Sequence, residues 1–233
     1  MMPLDEHYDY GFGATGEAFF RAAHLLKEHQ QSHAFFEHLP ENYLLRHAIE
    51  LFLKSGIVII HRKLKIPFSD KSHNSPPMVL VDEKWMPFHK VHSVADLYAH
   101  WKFIIERNAD TLKMLCEFKP DWTVESDLDA SIDFIEITDP NSTYYRYPIN
   151  RNPDEAKKKS AFKRTSQEDL LPREMPEGKK VRAFIVENES REFVRAYSLD
   201  EDSQKQATDA LVFAAEALFN YHAMMRIELT EGW

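Results

Sequence analysis

Residues 43–61, YLLRHAIELFLKSGIVIIH, form the most apolar segment of the chain, yet carry Arg46, His47, Glu50 and Lys54. An α-helix advances by about 100° per residue, so each position can be placed on a wheel. Arg46, Glu50, Tyr43, His61, Lys54 and His47 fall within a sector of roughly 100°, joined by Ile57, and the other roughly 260° holds Leu, Ile, Val, Phe, Ala, Ser55 and Gly56. A helix apolar over so much of its circumference must be surrounded by other elements. Its charged stripe needs a subunit interface or an internal cleft, because ionisable groups are costly in a dry core.

At 233 residues with 43% hydrophobic content, the chain is long enough to bury a sizeable core. Lys and Arg number 29 against 38 Asp and Glu, a formal net charge of -9 that repels nucleic acid and acidic membranes unless a local basic patch intervenes. Two runs supply one: HRKLK at 61–65 and KKKSAFKR at 157–164. The single cysteine, Cys116, fits a reducing compartment. MMPLDEHYDYGFG lacks the features of a signal peptide, and no run reaches membrane-spanning length. A soluble cytoplasmic protein with no membrane partner is expected.

The rest of the chain alternates helical patterns with punctuation. Helical spacing over 15–38 begins at a cap on Thr15, and Pro40 suits the first turn of the next helix, which Pro67 stops. Prolines at 67–91 mark an irregular connection in which MVLVDEKWM makes a hairpin around Asp82 and Glu83. Ser93 caps a third helix ended by Pro120; a fourth covers 124–137, followed by the turn sequence DPNS. Residues 150–180 are polar and proline-containing, which predicts a mobile loop, and KKVRAFIVENESREFVRAYSL predicts a hairpin around Asn188 and Glu189. A long final helix spans 202–229. The expected fold class is all-α: one domain over 1–233, an antiparallel helical bundle of about five helices with one or two small inserted β-hairpins.

The order FFRAAHLL, LPENYLLRHAIELFLKS, HSVADLYAHW, DPNSTYYRYP resembles the HEPN-like proteins, over roughly residues 15–150 and the terminal helix. RHAIELFLK carries most of the likeness, and RYP the next part. The resemblance implies an antiparallel helical bundle, dimerisation through it, and membership of toxin-antitoxin or antiviral defence systems, where many members cut RNA without a metal. Residues 150–200 stand outside it. The nuclease members carry an Arg, four to six residues, then a His. No Arg here meets that spacing: Arg46 and His47 are adjacent, and point about 100° apart on a helix.

RNA cleavage through the 2′-hydroxyl needs an acid or base near neutrality and a cation for the developing negative charge, which His and Arg supply. Arg46, His47 and Glu50 are the catalytic candidates; Lys54, His92, Arg146 and Tyr147 are the binding candidates, the last two in an aromatic-basic segment able to stack on a base and hold a phosphate. The opposing reading of the stripe is a buried or interfacial ion network without turnover. His29 and His33 have metal-ligand spacing without further ligands, and Asp129, Asp133 and Glu136 share a face that a solvated acidic surface explains; neither is taken as a metal site. No phosphate loop or GxSxG elbow occurs, and no cofactor is expected. Two functions follow: a non-catalytic module that forms a homodimer or docks RNA, nucleotide or a larger defence complex, and a metal-independent ribonuclease using Arg46 and His47.

Overall fold

The computed structural model describes residues 3–29, 38–140, 142, 144–146, 162–166 and 183–232. It is mostly helical, with five α-helices and two small antiparallel sheets among the described residues. No helix described is long and apolar enough to cross a membrane. The chain divides into two units, Met1–Tyr147 with Thr208–Trp233, and Pro148–Ala207.

In the first unit, α1 (Phe12–His29) starts three residues before the expected cap at Thr15. Asp9 is the reason: its carboxylate accepts the backbone N–H groups of Gly11 at 3.0 Å and Gly13 at 2.7 Å, giving donors at the helix start an acceptor. Of the helix expected over 15–38, residues 30–37 lie outside the described residues, and His38 begins the next helix. α2 (His38–Lys63) accommodates Pro40 in its first turn, where backbone N–H groups have no intrahelical acceptor. From Leu45 to His61 every residue of α2 except His47 is buried, as the narrow stripe requires. Gly16 of α1 lies under Leu51 and Phe52, and the rings of Phe20 and Phe52 meet edge to face at 6.2 Å.

Strands β1 (Met78–Val81) and β2 (Lys84–Pro87) form the expected hairpin. Asp82 and Glu83 both take positive φ, 46° and 64°, as a two-residue turn needs to match the strand twist. Ser93 caps α3 (Val94–Leu115) by accepting the Asp96 N–H at 3.1 Å. α4 (Ser126–Thr138) is tied to α3 through Asp129, which accepts from Tyr98 Oη at 2.7 Å and from Lys102 Nζ at 2.6 Å. The acidic face of α4 thus spends one carboxylate on a cation of the chain itself. The other long partner is α5 (Glu201–Thr230), whose Phe219 stacks on Phe20 at 5.1 Å and whose Tyr221 meets Trp101 edge-on at 5.0 Å. Pairings of Asn42 with Thr208 and Phe52 with Phe219 make α2 and α5 run the same way. Gly56, a weak point by helix propensity, is a point of close approach: a Cβ there would stand 2.5 Å from the Trp101 indole nitrogen.

In the second unit, β3 (Phe162–Thr165), β4 (Ala183–Glu187) and β5 (Phe193–Leu199) form an antiparallel sheet in the order β3-β5-β4. β4 and β5 are the expected hairpin, its turn held by the Asn188 side chain, which accepts the N–H groups of Ser190 and Glu192 at 2.9 Å each. β3 corrects the sequence reading, which placed Phe162–Thr165 in a mobile loop. A four-residue strand with two basic side chains looks polar in isolation, and it is fixed by pairing with residues more than 30 positions away. Apart from Ser166, the other residues of the expected loop lie outside the described residues.

Candidate functional site

The charged side chains of the stripe, Arg46, Glu50 and Lys54, are buried inside the chain. Arg46, Glu50 and Lys54 follow one another at four-residue spacing on α2 and meet as neighbours on one helix face. Arg46 and Glu50 are 2% exposed, and Lys54 4%. Glu50 is the hub. Its Oε1 accepts from Lys54 Nζ at 2.8 Å and from His92 Nδ1 at 3.0 Å, and its Oε2 from Arg46 Nη1 at 3.2 Å. Arg46 also donates to the backbone carbonyl of His92 and stands 3.2 Å from Asp139 Oδ2, an ion pair without hydrogen-bond alignment. Two cations therefore face two carboxylates, so the buried charges balance. α2 is thereby joined to the start of α3 and the end of α4.

The environment sets how these groups ionise. Burial pushes the Glu50 carboxyl up, but Lys54, its hydrogen bond, that of His92, and Arg46 together outweigh burial and hold it below the usual carboxylate range. Burial draws Arg46 down, opposed by Asp139 and Glu50. His47 lies beside the network, and its Nδ1 makes no hydrogen bond. Its ring packs edge-on against Phe19 at 4.5 Å and stacks on Tyr43 at 6.0 Å, and burial, with Arg146, Lys54 and Arg46 against Glu50, lowers its pKa. At neutral pH it is an uncharged packing group.

Of the binding candidates, Lys54 is buried in the network, the His92 side chain is 48% exposed above it, and the Arg146 guanidinium lies 5.5 Å from the centre of the Tyr43 ring. Tyr147 lies outside the described residues. Chemically, the arrangement is a neutralised cluster: the guanidinium and ammonium that would stabilise a transition-state anion already serve Glu50 and Asp139. His29, exposed at the end of α1, contacts the Leu25 carbonyl at 2.8 Å, and His33 lies outside the described residues. No group of three or more metal-ligating side chains occurs among the described residues. An open groove of about 500 Å³ is lined by residues including Asp121, Glu125, Phe213, Tyr221 and Met224, and by none of the stripe.

Two further buried polar clusters escaped the sequence reading. His61, on the stripe by the wheel, lies nearly two turns beyond Lys54 and joins His100 instead, with Nε2 atoms 3.1 Å apart. His61 Nδ1 faces the Ile66 carbonyl at 3.1 Å and must donate to it, so in the neutral pair His100 Nε2 is the donor. Burial and the nearby His61 lower His100 to about 4. In the second cluster Ser55 Oγ donates to Asp9 Oδ2 at 2.5 Å and stands 3.1 Å from His222 Nδ1, which must then donate to Ser55. Ser55 sits between the acid and the histidine and is fully buried, so this is a tie between the lead-in, α2 and α5 and no nucleophilic triad. Burial lowers His222 to about 4, and Gly13 leaves its ring the room it occupies. The available sequence signal was Ser55 next to Gly56 in an otherwise apolar sector, a mark of close approach.

No family model, curated protein or solved structure matches the chain.

Proposed function

We propose that this is a HEPN-like protein with a helical bundle, acting in a prokaryotic defence, toxin-antitoxin or stress system as a non-catalytic module that dimerises or docks RNA, nucleotide or protein partners in the cytoplasm. The resemblance of RHAIELFLK and RYP gives the family. The observation that carries the non-catalytic reading is that Arg46 is 2% exposed and already engaged with Glu50, Asp139 and the His92 carbonyl. A cation so committed cannot meet a phosphate without breaking three contacts. The missing Arg-to-His spacing of the family's nucleases points the same way.

Cleavage assays with purified full-length protein test this directly. Single-stranded RNA is expected to remain intact over a panel of sequences, with and without EDTA, and His47→Ala is expected to change nothing but local packing. Cleavage that persists in EDTA, leaves 2′,3′-cyclic phosphate ends and falls by roughly 100-fold or more in a folded His47→Ala variant would establish the ribonuclease instead.

A further inference from the structure

We propose that β4 is a self-association edge: two copies of the chain pair their β4 strands antiparallel across a two-fold axis, joining two three-stranded sheets into one of six strands. The inference rests on the reading of the protein as an associating module and names the surface. β5 is central, paired on both sides, so β4 hydrogen-bonds through one side, and among the described residues no strand pairs with its other side. Folded proteins usually blunt such an edge with lysine, proline or a charge in mid-strand. β3, the strand on the other flank of β5, carries Lys163 and Arg164 among its four residues. β4 reads Ala-Phe-Ile-Val-Glu, with no proline and its only charge at the end. Phe184 is 54% exposed and Ile185 52%. Being consecutive, they point to opposite faces, so the edge shows large apolar side chains on both.

The occupant is a second copy because the strand fits itself. Around a two-fold axis perpendicular to the sheet, the residue on the axis faces its own copy. With Ile185 there, isoleucine meets isoleucine on one face, and Phe184 meets Val186 of the other copy on the opposite face, twice by symmetry. Aromatic and β-branched pairs of this kind each contribute roughly 0.2–1 kcal/mol. Glu187 falls opposite Ala183, so like charges do not meet. The irregular pairing with β5 lies between Val186 and Glu187, leaving Ala183–Val186 regular. So short a pairing buries less than the roughly 1,000 Å² of a stable interface, so the dimer is expected to be weak, with a Kd on the order of 10–100 μM.

Analytical ultracentrifugation of the full chain from about 5 to 500 μM is expected to show a monomer–dimer equilibrium, the range being set by that Kd. Ile185→Lys places two ammonium groups face to face on the axis and should weaken the dimer by about tenfold or more, with unchanged far-UV circular dichroism. Ile185→Cys should form a disulfide-linked dimer under mild oxidation, whereas Val186→Cys, which faces Phe184, should not; the native Cys116 is buried. A dimer that survives Ile185→Lys, with no cross-link through Ile185→Cys, overturns the inference while leaving an associating module with its contact elsewhere. A monomer throughout the range also overturns it, and leaves docking onto a different macromolecule to be tested separately.

Discussion

Glu50→Ala is expected to destabilise the protein by about 3–5 kcal/mol, the scale for removing one member of a buried charged network. The reason lies in what is left behind. Arg46 keeps Asp139 and the His92 carbonyl, but Lys54 loses its only ion-pair partner among the described residues while 4% exposed. Glu50→Gln keeps the shape and the acceptor oxygen, so its loss should be smaller. An exposed pair on α1 supplies the contrast: Arg21 and Glu17 are 2.5 Å apart, but the Arg21 side chain is 72% exposed, and Glu17→Ala should cost at most about 1 kcal/mol. Urea unfolding followed by circular dichroism measures all three. Equal losses for Glu50→Ala and Glu17→Ala would mean that burial does not strengthen the stripe.

Stability should fall steeply on acidification from pH 7 to 5. His100 and His222 are both held at about 4, against an ordinary histidine value near 6.5, because burial disfavours their charged forms. The unfolded chain therefore takes up protons first, so stability is highest above pH 6.5 and is lost as pH falls toward 4. Each histidine costs about 1.4 kcal/mol per pH unit within that window, up to about 3 kcal/mol in all. His61 and His47 are shifted in the same direction. Glu50 acts lower: its depressed carboxyl stabilises the fold above the ordinary carboxylate range and loses that effect only as pH falls through its own lowered value. Urea midpoints at several pH values, in wild type, His100→Gln and His222→Asn, check this. The amides preserve a donor at Nε2 and Nδ1 respectively without titrating, so each variant should flatten the slope measurably, but by less than half, because His38, His47 and His61 are shifted the same way. A slope unchanged in both would assign the acid sensitivity to other groups.

The helix wheel reached three of the five members of the charged network and could reach no more. Arg46, Glu50 and Lys54 share a face because of a local period, which sequence carries directly. Their remaining partners, His92 and Asp139, lie in a connection and a helix end, and only tertiary packing brings them to α2. The wheel also placed His61 with the stripe because angle ignores distance along the axis, and at seven residues beyond Lys54 it meets α3 at His100 instead. Ser93 and the Asp82–Glu83 turn were legible for the opposite reason: caps and tight turns are made by residues adjacent in sequence. Asp9 was missed because it acts as a cap from inside an irregular lead-in, and β3 because its partner strand is remote.

The stripe is an internal tie, and the strength of that tie is read from the coupling between Glu50 and Lys54. In a double-mutant cycle of Glu50→Ala, Lys54→Ala and the pair, unfolding free energies should show a coupling of about 2 kcal/mol or more, since the two groups are 2.8 Å apart and nearly excluded from water. A coupling below about 0.5 kcal/mol, the value of an exposed helical pair, would contradict the claim and reopen the stripe as a solvent-reaching site.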